Sequence, residues 1–209
     1  FHYLSMGKSA FGMTDGQCVR TGESFFTLDG EYVTSEGRHE HIVCTFARGN
    51  GKVLKRNGKV YERLADHVGL IPVVIVAPSD TMLISDAADE RRRYINGFIS
   101  QIDREYLDAL MRYNAVLAER NRFLKVSSDE SMLEVYDAQL AAHGSKIHAR
   151  RTAVIDELQP IVAEYYARLS LDRETVNLRY RSELNERPLS ELLAEYRQRD
   201  IINQFTTTG

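Results

Sequence analysis

A carboxylate and a hydroxyl side chain, those of Asp80 and Ser79, directly follow a short apolar run in the first half of the chain. The run, residues 73–76, consists of valine and isoleucine and lies between two prolines. It is too short for a buried helix and rich in β-branched side chains, so it predicts a core strand. Ligands of α/β sheets bind where strands end, which makes Asp80 a candidate ligand-binding residue. An equally good interpretation is that Ser79 or Asp80 caps a short helix over 81–85.

Three consecutive arginines, Arg91, Arg92 and Arg93, lie on the helix predicted after this loop. A guanidinium group binds carboxylates and phosphates through a rigid fork of donors, so the run could contact either kind of anion. Successive residues of a helix point about 100° apart, however, and three arginines cannot all face one partner. Charge runs usually form a solvated helix face, here with the acids Asp89 and Glu90 as neighbours. That second interpretation applies to at least one of the three.

Gly7, Lys8 and Ser9 have the residue types that end a phosphate-binding P-loop. That motif requires another glycine five residues before Gly7, where His2 stands, and a strand before it, whereas residues 1–6 are typical of a short helix. The segment is therefore not a P-loop, and Lys8 is predicted to lie in a solvated turn.

The spacing of the His, Cys and Ser residues does not favour a metal site or a catalytic nucleophile. His39 and His41 share one face of a predicted strand, but Cys44 has the opposite parity and points to the other face. No Cys-x-x-Cys or His-x-x-x-His pair supplies further ligands, and no Gly-x-Ser-x-Gly motif is present. Two partly exposed histidines on a sheet face are the preferred interpretation.

Composition and charge bound the class of protein. Hydrophobic residues make up 43% and charged residues 27% of the chain, which is typical of a globular protein with a real core. The two cysteines are too few for a disulfide framework, and no long apolar run or signal peptide is found, so we expect a cytoplasmic protein without membrane contact. The net charge of -3 means that any contact with nucleic acid must come from a local basic patch.

The elements that position these residues are of two kinds. From Glu23 to Tyr61 apolar residues alternate with polar ones, and Asn57-Gly58 is a strong hairpin signal, so we predict an antiparallel meander followed by a short helix at 62–67. Apolar positions at helical spacing then predict a long helix over 103–125 and another after a cap at Asp129. The fold class is therefore predicted as α+β, a sheet-rich lobe with an arm of long antiparallel helices.

The second half of the chain also contains residues that interrupt or end its predicted helices. Gly144 and Pro160 predict a weak point and a kink in the second long helix. We further predict a strand over 176–181, a last helix from Pro188 to about Ile202 and the start of a strand at 205–208. The expected domains are a sheet-rich lobe over 1–88, a helical arm over 89–187 and a returning segment over 188–209.

Several spaced blocks of this sequence are similar to the RecF family of bacterial ATPases. They occur in the same order and are V-I-V-A-P-S-D, D-E-R-R-R-Y-I-N, I-S-Q-I-D-R-E-Y-L and A-E-R-N-R-F-L-K, with Y-L-S-M-G-K-S near the start and R-D-I-I-N-Q-F-T-T-T-G at the end. The resemblance implies an internal piece of an ABC-type ATPase, with the P-loop before Phe1 and the signature motif and Walker B acids after Gly209. The head lobe would be 1–88, and 188–209 would lead to the second ATPase half.

The resemblance also implies a function. A RecF-like ATPase binds duplex DNA at single-strand gaps in recombinational repair, uses ATP and Mg, dimerises on ATP and works with RecR and RecO. Ser79, Asp80 and Lys8 would then lie near the nucleotide, and Arg91, Arg92 and Arg93 at DNA or at a lobe interface. We expect neither catalysis nor a cofactor in this chain alone, because the P-loop is missing. The alternative is a non-enzymatic helical module for protein interaction on a small sheet.

Overall fold

The computed structural model describes residues 1–85 and 88–208, with the side chains of Ser79, Met82 and Ser85 outside the description as well. The chain divides into two compact units, which we call the sheet unit (Phe1–Asp103) and the helical unit (Arg104–Gly209). The predicted α+β class is confirmed, since one unit carries an antiparallel sheet and the other is built of helices. The assignment of 1–88, 89–187 and 188–209 to an ATPase head, an arm and a returning segment stays a prediction.

The sheet unit contains the predicted meander. Its strands are β1 (Phe25–Val33), β2 (His39–Ala47), β3 (Gly51–Arg56) and β4 (Lys59–Val60), paired antiparallel in chain order. Asn57 and Gly58 both have positive φ, 49° and 80°, as the tight hairpin turn between β3 and β4 requires. One face of the sheet is buried beneath α1 (His2–Met6), because the apolar residues alternate in register across the strands; this core consists of Leu4, Ile42, Cys44 and Leu54.

The core strand predicted at 73–76 is wrong. No strand forms there, and the side chains of Val74 and Val76 are 67% and 87% exposed. The segment is held instead by one amide side chain: Val73 N–H donates to Gln101 Oε1 at 2.8 Å, and Gln101 Nε2 donates to Val73 O at 3.2 Å. Apolar, β-branched composition favours a strand, but a strand also needs a neighbour, and the described part of the sheet unit provides none.

Short helical elements complete the sheet unit. A 3-10 turn, Leu64–Asp66, replaces the short helix predicted at 62–67. A second 3-10 helix, Pro78–Thr81, leads into α2 (Met82–Ser85), which is the short helix predicted after the loop. The unit ends with α3 (Ala88–Ile102), which carries the arginine run.

The helical unit consists of α4 (Arg104–Phe123), α5 (Glu130–Ser170), a 3-10 turn (Glu183–Asn185) and α6 (Leu189–Asn203). The predicted cap at Asp129 is confirmed, since its side chain accepts the Met132 N–H at 3.0 Å. The predicted last helix is confirmed as α6. Among the helices that the structure describes, none is long and apolar enough to cross a membrane.

Helix α5 runs through 41 residues, past both Gly144 and Pro160. The weak point at Gly144 and the kink at Pro160 stay predictions. The glycine has a packing reason. A Cβ atom at Gly144 would lie 2.4 Å from Leu189 Cδ2, so only glycine lets α6 approach α5 this closely. Leu189 forms the core of the unit together with Leu140 and Leu193.

Helices α4 and α5 pack antiparallel with a regular register. Arg120 contacts Asp137, Tyr113 lies against Gly144, and Tyr106 meets Arg151. Each step of seven residues toward the start of α4 is thus matched by seven residues toward the end of α5, as expected for two turns of neighbouring helices. This register fixes which residues of the two helices lie side by side.

The strands predicted at 176–181 and 205–208 are also wrong, because neither segment forms a strand with any of the described residues. Gln159 of α5 holds the first, with Nε2 donating to Val176 O at 3.2 Å and Oε1 accepting the Leu178 N–H. Threonine side chains hold the second segment, as described below. Alternating apolar residues predict a strand at 176–181, but alternation alone cannot supply the partner strand.

Candidate functional site

A cleft of about 670 Å³ lies within the sheet unit and brings three of the predicted site residues together. Lys8 comes from the loop after α1, Asp80 from the 3-10 helix and Arg93 from α3. The apolar residues Val73, Val74, Ile75 and Ala77 form part of the wall. Other lining residues are His2, Met6, Ser9, Phe11, Leu83, Glu90, Tyr94, Phe98 and Gln101. The cleft therefore combines an apolar wall with two cations and two carboxylates.

Asp80 caps the turn that carries it. Its Oδ2 accepts the Ala77 N–H at 2.7 Å, and its own N–H donates to Ala77 O at 2.9 Å. Asp80 thus occupies the third helical position and reaches back to the residue before the helix, while Pro78 fills the first position, where no N–H is needed. Asp80 therefore caps the 3-10 helix Pro78–Thr81, whereas the prediction was a cap of a helix over 81–85. A role of Asp80 toward a ligand stays a prediction. The Ser79 side chain lies outside the described residues.

The loop that carries Lys8 is fastened at its base. Gly7 ends α1 with φ of 64°, and its carbonyl accepts the Lys52 Nζ at 2.6 Å. The same ammonium pairs with Asp15 Oδ2 at 2.8 Å, and the Tyr3 hydroxyl donates to Asp15. Burial alone would raise the pKa of Asp15, but these two hydrogen bonds lower it. Lys8 is the next residue after Gly7 and is itself exposed.

The three arginines diverge, as their helical spacing predicts. Arg93 pairs with Glu90 at 2.9 Å and lines the cleft, and Arg92 pairs with Asp89. Arg91 Nη1 donates to Leu83 O at 3.1 Å. The acids predicted as neighbours are therefore the actual partners of two arginines. A contact of the run with DNA or with another lobe stays a prediction.

The described residues contain no group of three or more His, Cys, Asp or Glu side chains that could hold a metal ion. His41 Nε2 lies 2.8 Å from Asp29 Oδ1 on the exposed face of the sheet. Cys44 is fully buried on the opposite face, and burial raises the pKa of its thiol to about 11. A thiol of that kind is a packing residue and not a nucleophile.

Arg120 of α4 forms a buried cluster that the sequence did not predict. Its guanidinium is fully buried, with Nε donating to Asp137 Oδ1 and Nη1 to Asp200 Oδ2, each at 2.8 Å. Nη1 also donates to Thr206 Oγ1 at 2.8 Å, and Arg197 reaches Asp137 Oδ2 at 3.0 Å. We call these five residues the Arg120 cluster. One signal was available: Arg120 follows Tyr106 and Tyr113 at seven-residue spacing, which places a charged residue on an apolar stripe.

The cluster attaches the C-terminal segment to the helices. Asn121 Oδ1 accepts both the N–H and the hydroxyl of Thr206, and Asp200 Oδ1 accepts both donors of Thr207 at 2.8 and 2.7 Å. Among the buried side-chain nitrogens and oxygens that the structure describes, Arg120 Nη2 is left without a partner. Buried charge pairs hold their geometry firmly when nearly every donor and acceptor is satisfied.

Proteins named DNA replication and repair protein RecF match the chain over its whole length. That of Bacteroides fragilis (strain ATCC 25285) is 41% identical over 210 residues, covering 100% of this chain and 57% of the relative. That of Flavobacterium johnsoniae is 37% identical over 213 residues, covering 100% and 59%. No protein-family model matches the chain.

The fold is similar to that of solved RecF structures. The recombination mediator protein RecF-ATP in the RecFOR pathway superposes with a TM-score of 0.89 at 26% identity, over 100% of this chain and 59% of that one. A second structure, RecF-ATPrS of the same pathway, gives the same TM-score at 25% identity. In sequence and in fold the chain is therefore similar to RecF proteins, and it spans a little over half the length of these relatives.

Proposed function

We propose that the chain is the central part of a RecF-like ATPase of DNA replication, recombination and repair. In this proposal the whole protein binds duplex DNA at single-strand gaps, uses ATP with Mg²⁺, dimerises on ATP and acts with RecR and RecO. Support comes from relatives named for DNA replication and repair and from a RecF-ATP structure of the same fold.

The observation that carries the proposal is the cleft of the sheet unit. Lys8 and Arg93 supply cations of the kind that bind phosphate oxygens, and Asp80 supplies a hard oxygen ligand of the kind that Mg²⁺ or its waters prefer. These residues fit only part of a nucleotide site, because the backbone N–H cradle of a P-loop is not among them. We infer that the cleft contributes to a site completed by other parts of the whole protein.

Within that site the role of Asp80 would be positional. Its Oδ2 is tied to the Ala77 N–H, so the carboxylate has a fixed place at the edge of the cleft. ATP and Mg²⁺ supply the reacting phosphate and its charge neutralisation when bound. Asp80 would orient a metal-bound or attacking water by accepting its hydrogen bond, and Lys8 and Arg93 would hold negative charge in place.

Two substitutions separate the charge of Asp80 from its cap. Asp80→Asn keeps an acceptor for the Ala77 N–H and removes the charge, whereas Asp80→Ala removes both. We expect both variants of the full-length protein to lose ATPase activity by about tenfold or more, the scale on which one electrostatic contact acts. Glu36→Gln, at an exposed acid in the same unit, serves as the control.

Thermal unfolding of each variant is measured beside its ATPase activity, so that a loss of stability can be told apart from a loss of ATP hydrolysis. Full activity in Asp80→Asn together with a loss in Asp80→Ala would reduce Asp80 to a structural cap. A full-length wild-type protein without ATPase activity would contradict the proposal and favour the non-enzymatic interaction module.

A further inference from the structure

The middle of α5 is basic, although the chain as a whole is acidic. Residues 138–155 contain no Asp or Glu, and their bases are Lys146, Arg150 and Arg151, with His143 and His148 in addition. The complete chain has a net charge of -3. A local excess of this kind is what phosphate binding requires, because affinity for a polyanion depends on clustered cations.

The register of the two long helices brings a further cation to this region. Tyr113 of α4 lies against Gly144 of α5, and the contacts two turns away on either side follow the same register. Arg112 precedes Tyr113 by one residue, so it comes beside the turn of α5 that carries His143 and Lys146. Those two are three residues apart and share one face of the helix.

Some bases of the same helices are paired with acids. Arg104 lies 3.6 Å from Asp108, and Arg150 lies 3.0 Å from Glu157. Arg112 and Lys146 are exposed, and neither forms a salt bridge with any of the residues that the structure describes. Their charges are therefore open to an external anion.

The pKa of His143 is sensitive to the same positive charges. Its pKa is lowered first by partial burial and then by the positive charges of Arg112 and Lys146. At neutral pH the histidine is therefore mostly uncharged, and it can still donate one hydrogen bond from its ring. The two longer side chains carry the positive charge of the site.

We propose that Arg112, His143 and Lys146 form a surface of the helical unit that contacts backbone phosphates of duplex DNA. This inference rests on the proposed function and adds the place of contact. Arg112 and Lys146 are exposed and His143 is half-buried beside them on the surface of a helix pair, which suits a long polyanion better than a nucleotide. Contacts of this type hold the duplex without reading its sequence.

The test is duplex binding by the full-length protein over a series of salt concentrations. We expect Arg112→Gln and Lys146→Gln each to weaken binding severalfold and to reduce the slope of log affinity against log salt by about one. The double variant should reduce it by about two. Lys146→Glu should weaken binding further, because it places a like charge against the phosphates.

Arg122→Gln is the matched control, since Arg122 is an exposed arginine of the same helix, ten residues further along. The slope of log affinity against log salt for Arg122→Gln should equal that of the wild type. A decrease in slope as large as that of Arg112→Gln would overturn the assignment. The exposed positions allow all variants to fold, which thermal unfolding checks. Wild-type binding with unchanged slopes in the variants refutes this surface alone, whereas absence of wild-type binding refutes the proposed DNA function together with it.

Discussion

Glu40 is a carboxylate on the buried face of a sheet, where an unpaired charge would be costly. Arg56 grips it through Nε at 2.7 Å and through Nη2, and Asn57 of the hairpin turn adds a hydrogen bond at 2.9 Å. Chiefly through Arg56, these donors lower the pKa of Glu40 to about 2. Asn57, which forms the hairpin turn predicted from the sequence, therefore also donates a hydrogen bond to a buried acid.

Replacing Glu40 with glutamine should destabilise the chain in a pH-dependent way. The pKa lies near 4.5 in the unfolded chain and at about 2 in the folded one, so ionisation stabilises the fold fully above pH 4.5. That stabilisation fades as the pH falls from 4.5 toward 2. Urea unfolding of wild type and Glu40→Gln, followed by circular dichroism, should show a difference that is constant near neutral pH and shrinks in acid. Glu36→Gln provides an exposed control, and a Glu40→Gln difference that grows below pH 4 would contradict the assignment.

At the scale of helices, Gly144 decides how closely α5 and α6 pack. A methyl group there would lie 2.4 Å from Leu189 Cδ2 and 3.3 Å from Tyr113 Cε2, and Leu189 is only 2% exposed. Gly144→Ala should therefore cost about 1–3 kcal/mol, although alanine favours helices. Gly97→Ala in α3 meets no atom within 4 Å and should gain up to about 1 kcal/mol. Chemical unfolding measures both, and a stabilising Gly144→Ala would refute the contact.

Local patterns predicted the elements whose stabilising partners are near in sequence. The β3–β4 hairpin follows from Asn57 and Gly58, and the start of α5 follows from Asp129, because turn and cap geometry are decided within a few residues. The segments 73–76 and 176–181 were predicted as strands because composition indicates an extended backbone. Whether such a segment pairs depends on distant neighbours, and here glutamine side chains serve that purpose.

The candidate site was predictable to a similar extent. Asp80 and Arg93 were candidates from residue type, whereas Lys8 was a candidate only through the family resemblance. The cleft that brings the three together depends on tertiary packing. Arg120 was missed because arginine is almost never buried without a partner, and its partners Asp137 and Asp200 lie far away in sequence. A charge on an apolar stripe is the pattern to look for in such cases.

At the scale of the whole molecule, this chain should not bind ATP tightly by itself. The cleft offers Lys8 and Arg93 as separate cations, whereas tight phosphate binding needs a run of backbone N–H groups at a helix start. Calorimetric titration of the 209-residue chain with ATP and Mg²⁺ should give no saturable heat. The full-length protein is the positive control, and a micromolar Kd for the chain alone would mean that the site lies elsewhere.

The attachment of residues 206–208 has a mechanical consequence. Side chains of α4 and α6 grip this segment, and Arg120 joins the same point to Asp137, near the start of α5. At 1.5 Å per residue the 41 residues of α5 measure about 60 Å, most of it beyond that junction. A force on the chain at the segment 206–208 is therefore passed through the Arg120 cluster to α4, α6 and the first turns of α5 at once.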